Sequence, residues 1–342
     1  MPKSTPSSDT TLLKEWYTEN HRSMPWRQTR EPYTIWLSEV ILQQTRVAQG
    51  WAYFERFLAA YPTVQALAAA PRDAVLKLWE GLGYYTRAHS LHTAAQQVVK
   101  EHGGQFPQTW EGLMQLKGVG PYTARAIASL AFGQRVGVLD GNVFRVLARY
   151  HADGTPIDTP SSRAHFQPLA DVWVQTEDPA VMNQALMELG ALVCLPRNPL
   201  CGKCPLEPSC KARAEGNPTA YPVKGKTQTR DLRHYVFYWY EDAAGRLYLR
   251  QRPATGLWKG LWELPNEQVE APRNQHTLST LRHAFTHFDM AIQLLPGTGS
   301  PEETYPGGRW CTPGEVEALA LPRAVQLLIA QMRGGGRQLT LL

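Results

Sequence analysis

The sequence lacks the features that mark secreted and membrane proteins. No run of about 18 apolar residues occurs anywhere in its 342 residues, so no membrane-spanning helix is expected. The N-terminal stretch MPKSTPSSDT has no apolar segment of the kind found in secretory signals. No internal repeat is present either. These absences predict a cytoplasmic protein that is not attached to a membrane.

Cysteine is scarce, and its distribution is uneven. Four of the five cysteines have the spacing Cys194-x6-Cys201-x2-Cys204-x5-Cys210, and Cys311 stands apart as a lone buried thiol. In a chain without a secretory signal, this cluster favours a metal centre over disulfides. Four thiolates can hold a [4Fe–4S] cluster or one tetrahedral Zn²⁺. Only one pair has the Cys-x2-Cys spacing of a zinc knuckle, which favours iron–sulfur and leaves zinc or unmetallated cysteines as alternatives.

Residues 116–140, LKGVGPYTARAIASLAFGQRVGVLD, contain a pattern typical of a helix-hairpin-helix. Residues 109–115 are predicted to form the first helix. Gly118 and Gly120 are expected to turn the backbone with positive φ, and Pro121 suits the first position of the second helix. Free N–H groups at that helix start would bind an anion such as a DNA phosphate. The alternative is an ordinary connection between two core helices. The net charge of +5 is compatible with a nucleic acid partner without requiring one.

Periodicity divides the chain into a helical part and a β-rich part. Apolar positions recur at helical spacing from residue 11 to about residue 192. Residues 1–10 are interpreted as disordered, and the polar residues 213–232 as a linker. Strands are then predicted at 235–240, 246–250, 261–264, 283–286 and 291–295, and helices at 313–319 and 322–332. The predicted fold class is multidomain, with an all-α domain at 11–212 followed by a small α+β domain at 233–342.

Four motifs, together with the cysteine spacing, resemble the endonuclease III superfamily of DNA glycosylases, and within it the MutY-type adenine glycosylases. The motifs are PWR at 25–27, WLSEVILQQT at 36–45, GLGYY at 81–85 and LDGN at 139–142. The resemblance is strong over residues 10–215 and weaker beyond them. It implies a helix-hairpin-helix glycosylase domain whose loop 194–210 carries a [4Fe–4S] cluster, followed by a MutT-like (Nudix-fold) domain.

The resemblance also implies a pair of catalytic carboxylates. N-glycoside cleavage passes through an oxocarbenium-like transition state, which needs one acid for the leaving group and one carboxylate for the cation. Glu39 would be the acid that delivers a proton to adenine N7 and would position the water. Asp140 would stay ionised beside the sugar, where it would stabilise C1′ or attack it transiently, and Asn142 would hold it in place. The apolar neighbours of Glu39 are expected to raise its pKa. The alternative for Glu39 is an exposed position on an amphipathic helix.

One hairpin position separates two kinds of glycosylase. In the bifunctional relatives, the residue two places after the second hairpin glycine is a lysine that forms a Schiff base. Here that residue is Tyr122, and the only lysine of the hairpin is Lys117, before Gly118. Without the amine nucleophile, an amine-dependent lyase step loses its chemistry. A monofunctional glycosylase is therefore predicted.

The remaining site residues are carried over from the resemblance. Gln44 and Tyr84 would act as wedges in the duplex while adenine is flipped out of the stack, with Thr45 beside them as a DNA contact. The adenine pocket would be lined or approached by a further group of four, namely Trp26, Arg27, Tyr122 and Gln184. In isolation, Trp26 and Tyr84 would more often be core or surface aromatics.

The C-terminal domain is expected to read the base opposite adenine. Residues after 265 contain no Arg-Glu-x-x-Glu-Glu run, so nucleotide hydrolysis is not predicted. In the family, a Phe-Ser-His loop reads 8-oxoguanine, and here the matching residues are Phe285, Thr286 and His287. Threonine keeps the hydroxyl donor and acceptor, so recognition should survive. The alternative is an ordinary strand with an aromatic core face.

These inferences predict a monomeric base excision repair enzyme that acts on double-stranded DNA. It would excise adenine mispaired with 8-oxoguanine or guanine, and would be associated with the nucleoid if the source is bacterial. One rival is a bifunctional glycosylase/lyase for oxidised pyrimidines, which Tyr122 disfavours. The other is a non-enzymatic iron–sulfur protein that binds DNA or transfers electrons, which leaves Glu39 and Asp140 without a role.

Overall fold

The structure is a computed structural model that describes residues 7–225 and 230–334. Its packing divides the chain into two units. Unit 1 comprises residues 1–68 and 93–227, and unit 2 comprises residues 69–92 and 228–342. Each unit is considered by itself.

Helices account for nearly all regular structure before residue 226. In chain order they are α1 (Ser7–Asn20), α2 (Pro32–Leu42), α3 (Val47–Ala60), α4 (Val64–Ala69), α5 (Arg72–Leu78), α6 (Thr86–His102), α7 (Trp110–Leu113), α8 (Pro121–Phe132), α9 (Gly141–His151), α10 (Ser162–Trp173), α11 (Pro179–Leu192) and α12 (Lys211–Ala214). Short 3-10 turns lie at Pro25–Arg27, Cys201–Lys203, Glu207–Ser209 and Pro218–Ala220. Helix α5 and the first turns of α6 belong to unit 2.

The helices of unit 1 begin where the sequence supplies caps. Proline opens α2, α8 and α11, where its fixed φ suits the first turn. Asp140 caps α9, and Asp178 caps α11. One core lies among α1, α9, α10 and α11 and includes Leu147, Phe166 and Trp173. Helix α2 packs against α8, which brings the motif of residues 36–45 next to the hairpin.

The disorder predicted for residues 1–10 was wrong from residue 7 onward. The boundary between the two units, after residue 227, falls inside the predicted linker 213–232, but the first part of that segment is packed. Helix α1 begins at Ser7, inside the stretch predicted to be disordered, because Asp9 is buried and accepts hydrogen bonds from Tyr150 and from Ser209 (3.0 Å). Residues 1–6 lie outside the described residues. The predicted linker 213–232 contains the end of α12, and the Tyr221 carbonyl accepts from Arg149 at 2.9 Å. Residues 226–229 of that linker are also outside the described part.

The described residues of unit 2 form two sheets and three further helices. The strands are β1 (Asp231–Trp239), β2 (Leu247–Gln251), β3 (Trp262–Glu263), β4 (Asn266–Val269), β5 (Ser279–Ala284), β6 (Phe288–Pro296) and β7 (Gly308–Cys311). The helices are α13 (Pro301–Thr304), α14 (Pro313–Ala318) and α15 (Arg323–Met332). One sheet has the order β4-β1-β6-β5, with β1 and β6 parallel, and the other has the antiparallel order β3-β2-β7. Phe237, Leu294 and Leu328 belong to the core of this unit.

Three details of unit 2 differ from the sequence prediction. Strands β4 and β7 were not expected. Strand β4 lies at a sheet edge and reads NEQV, and it was missed because this sequence shows no apolar alternation. The strand predicted at 283–286 is β5, which ends at Ala284, so residues 285–287 form the turn to β6. Residues 69–92 pack within this unit, where Lys77 Nζ donates to the Leu319 carbonyl at 3.0 Å.

The predicted fold class, a helical domain followed by a small α+β domain, is confirmed. Among the described residues, no helix combines the length and apolar character needed to cross a bilayer.

Candidate active site

Glu39 lies in the interior of unit 1. Helix α2 starts where the Glu31 side chain accepts the N–H groups of Tyr33 and Thr34, and eight of its eleven residues are buried, so the helix has no broad solvent face. Glu39 is 9% exposed. The alternative of an exposed position on an amphipathic helix is therefore wrong. A carboxyl group in such a place needs a polar partner or a proton.

That partner is the phenol of Tyr122 on α8, which donates to Glu39 Oε2 at 2.7 Å. Burial raises the pKa of Glu39 from 4.5 to about 7; the Tyr122 hydrogen bond and the charge of Arg27 oppose this shift, and the charge of Asp140 adds to it. A carboxyl group with a pKa near 7 is partly protonated at neutral pH, as a general acid requires.

Asp140 occupies the N-cap of α9, so the fold itself orients its carboxylate. Oδ1 accepts the N–H of Val143 at 2.7 Å, and Oδ2 accepts Nδ2 of Asn142 at 2.9 Å. Burial raises the pKa of Asp140 above 3.8, while these hydrogen bonds and the charge of Arg145 oppose the rise. Glu39, by contrast, accepts one phenol and no backbone N–H among the residues that the structure describes. The two acids therefore have different environments, and the hydrogen bonds of Asp140 favour its charged form.

Asn142 is held by a second group that the sequence did not reveal. Arg145 donates to Asn142 Oδ1 at 2.8 Å and to the carbonyls of Gly190 and Cys194, both at 2.7 Å. Because Oδ1 accepts from Arg145, Nδ2 is the atom that faces Asp140. A Cβ on Gly190 would lie 2.5 Å from the Cβ of Asn142, so glycine permits this close approach of α11.

Arg27 belongs to a group in which two arginines, the exposed Arg22 and the half-buried Arg27, surround one buried carboxylate. Glu188 on α11 has a fully buried side chain that accepts Arg22 Nε at 2.7 Å, Arg22 NH2 at 2.8 Å and Arg27 NH2 at 2.7 Å. Burial alone would raise the pKa of Glu188, but the hydrogen bonds of Arg22 and Arg27 outweigh it and hold the pKa at about 2. Glu188 is therefore a fixed anion that anchors Arg27.

Gln184, one turn before Glu188 on α11, lines a cavity of about 190 Å³ together with Arg27 and Tyr17. The Tyr17 hydroxyl donates to Gln184 Oε1. Arg27 and Gln184, both predicted pocket residues, are thus brought together. Trp26 is not among the lining residues; it packs edge-on against Trp51 and Phe54, with ring centroids 5.3 and 4.9 Å away.

The hairpin lies between α7 and α8. Helix α7 has a single turn, capped by Thr109, and is shorter than the predicted helix 109–115. Gly118 has φ of +76°, as expected, but Gly120 has φ of −90°, so the prediction for Gly120 was wrong. A Cβ on Gly120 would meet no atom within 4 Å. Within the described residues, neither backbone strain nor crowding requires glycine there.

Gln44 and Tyr84 share an unusual backbone conformation, each within its own unit. Their φ angles are +58° and +47°, a left-handed region that non-glycine residues rarely adopt. Gln44 is exposed, and Thr45 beside it is half-buried. Tyr84 is 52% exposed. Strained and exposed residues of this kind are found at functional sites.

In unit 2, Tyr84 lies next to the predicted base-reading loop. Its hydroxyl is 3.1 Å from Oγ1 of Thr286. Phe285 stacks on Phe288 with ring centroids 4.6 Å apart, which leaves the side chains of Thr286 and His287 exposed at the turn. The alternative of an ordinary strand is wrong for these residues, since β5 ends before them.

The four clustered cysteines are half-buried and lie in the loop after α11. Burial raises the pKa of Cys204 to about 12. The charges of Cys194, Cys210 and Cys201 add to this rise, so Cys204 interacts electrostatically with the other three cysteines. The buried guanidinium of Arg149 donates to Cys194 Sγ at 3.3 Å. Within the described ranges, no three His, Cys, Asp or Glu side chains already have the arrangement of a metal site. Four cysteine side chains are nevertheless a donor set that suits a cationic centre, because the positive charge of such a centre stabilises the thiolate form that burial disfavours.

Comparisons with known families agree with this architecture. Residues 37–170 match the HhH-GPD superfamily of base excision DNA repair proteins, and residues 235–331 match the NUDIX domain. A thermostable thymine-DNA glycosylase structure aligns with a TM-score of 0.56 and 28% identity, covering 60% of this chain and 95% of that one. An endonuclease III structure in complex with DNA aligns with a TM-score of 0.51 at 22% identity, which speaks for the fold alone. Fold and site together define a helix-hairpin-helix DNA glycosylase.

Relatives along most of the chain narrow this class. An adenine DNA glycosylase of Rattus norvegicus is 35% identical over 92% of this chain and 76% of its own length, and that of Homo sapiens is 34% identical over 94% and 73%. An adenine DNA glycosylase of Buchnera aphidicola (strain Sg) is 28% identical over 93% of this chain and 96% of its own length. The chain belongs to the adenine DNA glycosylase family. The predicted family and the prediction of a glycosylase are thereby confirmed.

Proposed function

We propose that this protein is a monofunctional DNA glycosylase that excises adenine mispaired with 8-oxoguanine or guanine. The observation that carries the proposal is the pair of acids with unlike environments, Glu39 with a pKa of about 7 and Asp140 held by two hydrogen-bond donors. Pairs of acids whose environments differ in this way divide the roles of acid and stabilising carboxylate.

In this mechanism, protonated Glu39 transfers its proton to N7 of the adenine. The base then leaves as a neutral group while positive charge develops at C1′. Asp140, ionised, stabilises this oxocarbenium-like charge, and Asn142 keeps the carboxylate in position. Glu39, now a carboxylate, directs the water that completes hydrolysis. Proton transfer by a positioned group contributes roughly 100- to 10,000-fold to such a rate.

Tyr122 supports the absence of a lyase step. Its hydroxyl donates to Glu39 at 2.7 Å, and desolvation raises its pKa well above 10, so it stays neutral and is not a nucleophile. A Schiff base needs an amine at this place. Excision should therefore leave an intact strand with an abasic site.

DNA binding would use the hairpin and the two strained residues. The backbone N–H groups of Gly118 and Gly120, and that of Tyr122 beyond Pro121, would hold a phosphate, and the open space at Gly120 leaves room for it. Gln44 and Tyr84 would fill the duplex after adenine has been flipped out, which an enzyme acting on a base in duplex DNA must do. Arg27 and Gln184 would receive the base.

The opposite base would be read in unit 2 by the exposed turn at 285–287. The contact between Tyr84 and Thr286 supports this proposal, because it places a wedge residue and a reading residue within hydrogen-bonding distance. The Thr286 hydroxyl can accept the N7–H that 8-oxoguanine has and guanine lacks. A preference for 8-oxoguanine over guanine follows.

The cysteines Cys194, Cys201, Cys204 and Cys210 would hold a [4Fe–4S] cluster. When bound, the cluster would supply the positive charge that stabilises the thiolates and would fix the loop. Base cleavage needs no electron transfer, since Glu39 and Asp140 account for it.

The proposal can be tested by single-turnover assays on four duplexes, read with and without alkali. They pair adenine with 8-oxoguanine, guanine or thymine, and thymine glycol with adenine. Cleavage of the adenine strand in the first two, seen only after alkali, is expected, and Glu39→Gln should bind these duplexes without excising the base. Strand cutting at thymine glycol without alkali would favour the bifunctional reading, and mismatch binding without base loss would favour a non-enzymatic role.

A further inference from the structure

A short segment of the helical part of the chain packs within unit 2, and none of the roles above explains why. Residues 69–92 lie inside residues 37–170, which match the base excision repair superfamily, yet their packing assigns them to the unit that contains the sheets. The segment includes Tyr84, the proposed wedge. Its contacts therefore determine which part of the protein positions the wedge.

The segment is attached by polar side chains that bind backbone groups between α14 and α15. Glu80 Oε1 accepts the N–H of Leu321 at 3.0 Å, and Glu80 Oε2 is paired with Lys77 at 2.6 Å. Lys77 also donates to the Leu319 carbonyl, and the Tyr85 hydroxyl donates to the Leu321 carbonyl at 3.2 Å. Leu321 is 5% exposed, and a buried N–H group needs an acceptor. Glu80 supplies that acceptor.

The backbone that receives these contacts is itself fixed to a sheet. The Ala320 carbonyl accepts the N–H of Trp262 on β3 at 3.0 Å, and Ala320 is buried. At a second place, His89 Nε2 donates to the Lys259 carbonyl at 2.9 Å. The segment is thus held to the framework of unit 2 and does not merely lie against it.

The path from Glu80 to Tyr84 is short and stiff. Gly83 has φ of +71°, and its carbonyl accepts Trp79 Nε1 at 3.0 Å. The Arg87 guanidinium lies 5.0 Å from the Trp79 ring and 5.7 Å from the Tyr84 ring, so it joins the two rings by cation–π contacts. Because the turn is held on both sides, the position of Glu80 determines that of the Tyr84 ring.

We infer that Glu80 is a positioning residue for recognition of the opposite base: by binding the Leu321 N–H group, it places Tyr84 against Thr286. The Tyr84 hydroxyl and Thr286 Oγ1 are 3.1 Å apart. This inference rests on the proposed function, in which Thr286 reads 8-oxoguanine. Glu80 should therefore act on the preference for 8-oxoguanine over guanine and little on base cleavage itself, which belongs to the two acids of unit 1.

The test is single-turnover excision of adenine opposite 8-oxoguanine and opposite guanine, with the ratio of the two rates as the readout. Glu80→Ala should lower this ratio about tenfold, mainly by slowing the first reaction, since one buried hydrogen bond to a carboxylate is lost. Glu80→Gln keeps an acceptor for the Leu321 N–H group and should keep most of the ratio. Adding Thr286→Ala to Glu80→Ala should cause no further fall, because Glu80 acts through Thr286.

Two further variants make the result specific. Glu267→Ala is the matched control: it removes another glutamate of unit 2, on β4 and paired with Arg273 at 2.8 Å, and should keep the full ratio even if it melts at a lower temperature. Lys77→Met removes the contact with the Leu319 carbonyl and should lower the ratio by a smaller factor. Because Lys77 is half-exposed, this variant decides the question if thermal melting shows that Glu80→Ala does not fold.

An unchanged ratio in Glu80→Ala would overturn the inference, as would an equal fall of both rates or an equal loss of the ratio in Glu267→Ala. A further tenfold fall on adding Thr286→Ala would overturn it as well. In all these cases the wild type still prefers adenine opposite 8-oxoguanine, and the proposed function stands. A wild type that excises no adenine, or that acts equally opposite both bases, would instead overturn the proposed function or its reading of the opposite base, and the inference with it.

Discussion

Replacing Glu39 by glutamine should make the protein more stable while abolishing excision. The folded-state pKa of Glu39 is about 7, against an ordinary value of 4.5, so the folded state binds its proton more tightly than the unfolded chain does. The stability from this proton is fully present below pH 4.5 and is lost as pH rises to about 7. A shift of this size corresponds to about 3 kcal/mol of unfolding free energy, as an order of magnitude.

Glutamine removes this dependence and keeps the contact with Tyr122, because its carbonyl can accept the phenol hydrogen. Above about pH 8 the variant should be more stable by up to about 3 kcal/mol, which corresponds to roughly 6 to 12 °C in melting temperature for a unit of this size. Near pH 4.5 the two proteins should melt together.

Glu188 is the matched control, because it is also a buried glutamate of unit 1 but its pKa is shifted downward, to about 2. Its ionised form is stabilised by Arg22 and Arg27, so that stability is present above pH 4.5 and is lost as pH falls toward 2. Glu188→Gln should therefore be less stable than the wild type at neutral pH, the opposite of Glu39→Gln.

The assay is thermal melting of the three proteins from about pH 4.5 to about pH 8.5, with excision measured alongside. Equal melting temperatures of the wild type and Glu39→Gln at every pH would refute the reasoning, since Glu39 would then be ionised without penalty. A lower melting temperature of Glu39→Gln at high pH would refute it more strongly.

Three further predictions concern catalysis and recognition. Excision by the wild type should fall about tenfold per pH unit above about pH 7, as Glu39 loses its proton. Tyr122→Phe should move this fall to higher pH, because it removes a hydrogen bond that lowers the pKa of Glu39. The measurement is the single-turnover rate at each pH, and an unmoved profile would contradict the prediction. Asp140→Asn should lose excision by at least about 100-fold yet melt within a few degrees of the wild type, because asparagine also caps helices, and a large loss of stability would contradict the assigned role. Thr286→Ala should bring the rates opposite 8-oxoguanine and guanine closer together by roughly tenfold, and an unchanged ratio would remove Thr286 from lesion reading.

Much of the helical unit could be predicted because its signals are local. Helical periodicity, proline at helix starts and capping aspartates all act within one or two turns of chain. The environment of Glu39 was predicted from its apolar neighbours on α2, and the direction of its pKa agrees. The positive φ of Gly118 was likewise predicted from the hairpin pattern. The same prediction failed for Gly120, whose φ is negative and where a side chain would meet no atom, because the sequence does not show which glycines adopt a left-handed backbone.

The features that sequence reasoning missed depend on contacts between distant residues. Tyr17 and Gln184 are 167 positions apart, and Arg22 and Glu188 are 166 apart. The one local sign of Glu188 is its place four residues after Gln184, on the same side of α11. The first turn of helix α1 was predicted to be disordered for the same reason. It is stabilised by the hydrogen bond from the distant Tyr150 to Asp9, which the local sequence does not reveal.

The left-handed backbones of Gln44 and Tyr84 have a consequence for how a glycosylase could search DNA. Each such residue costs roughly 1 to 2 kcal/mol, and this cost belongs to folding, before any DNA is bound. In the proposed role as wedges, the two residues would meet each base pair with their backbones already in this geometry. Their ordering would then add no cost at each encounter, so inspection could be brief and the slow steps could be kept for the base pair that opens.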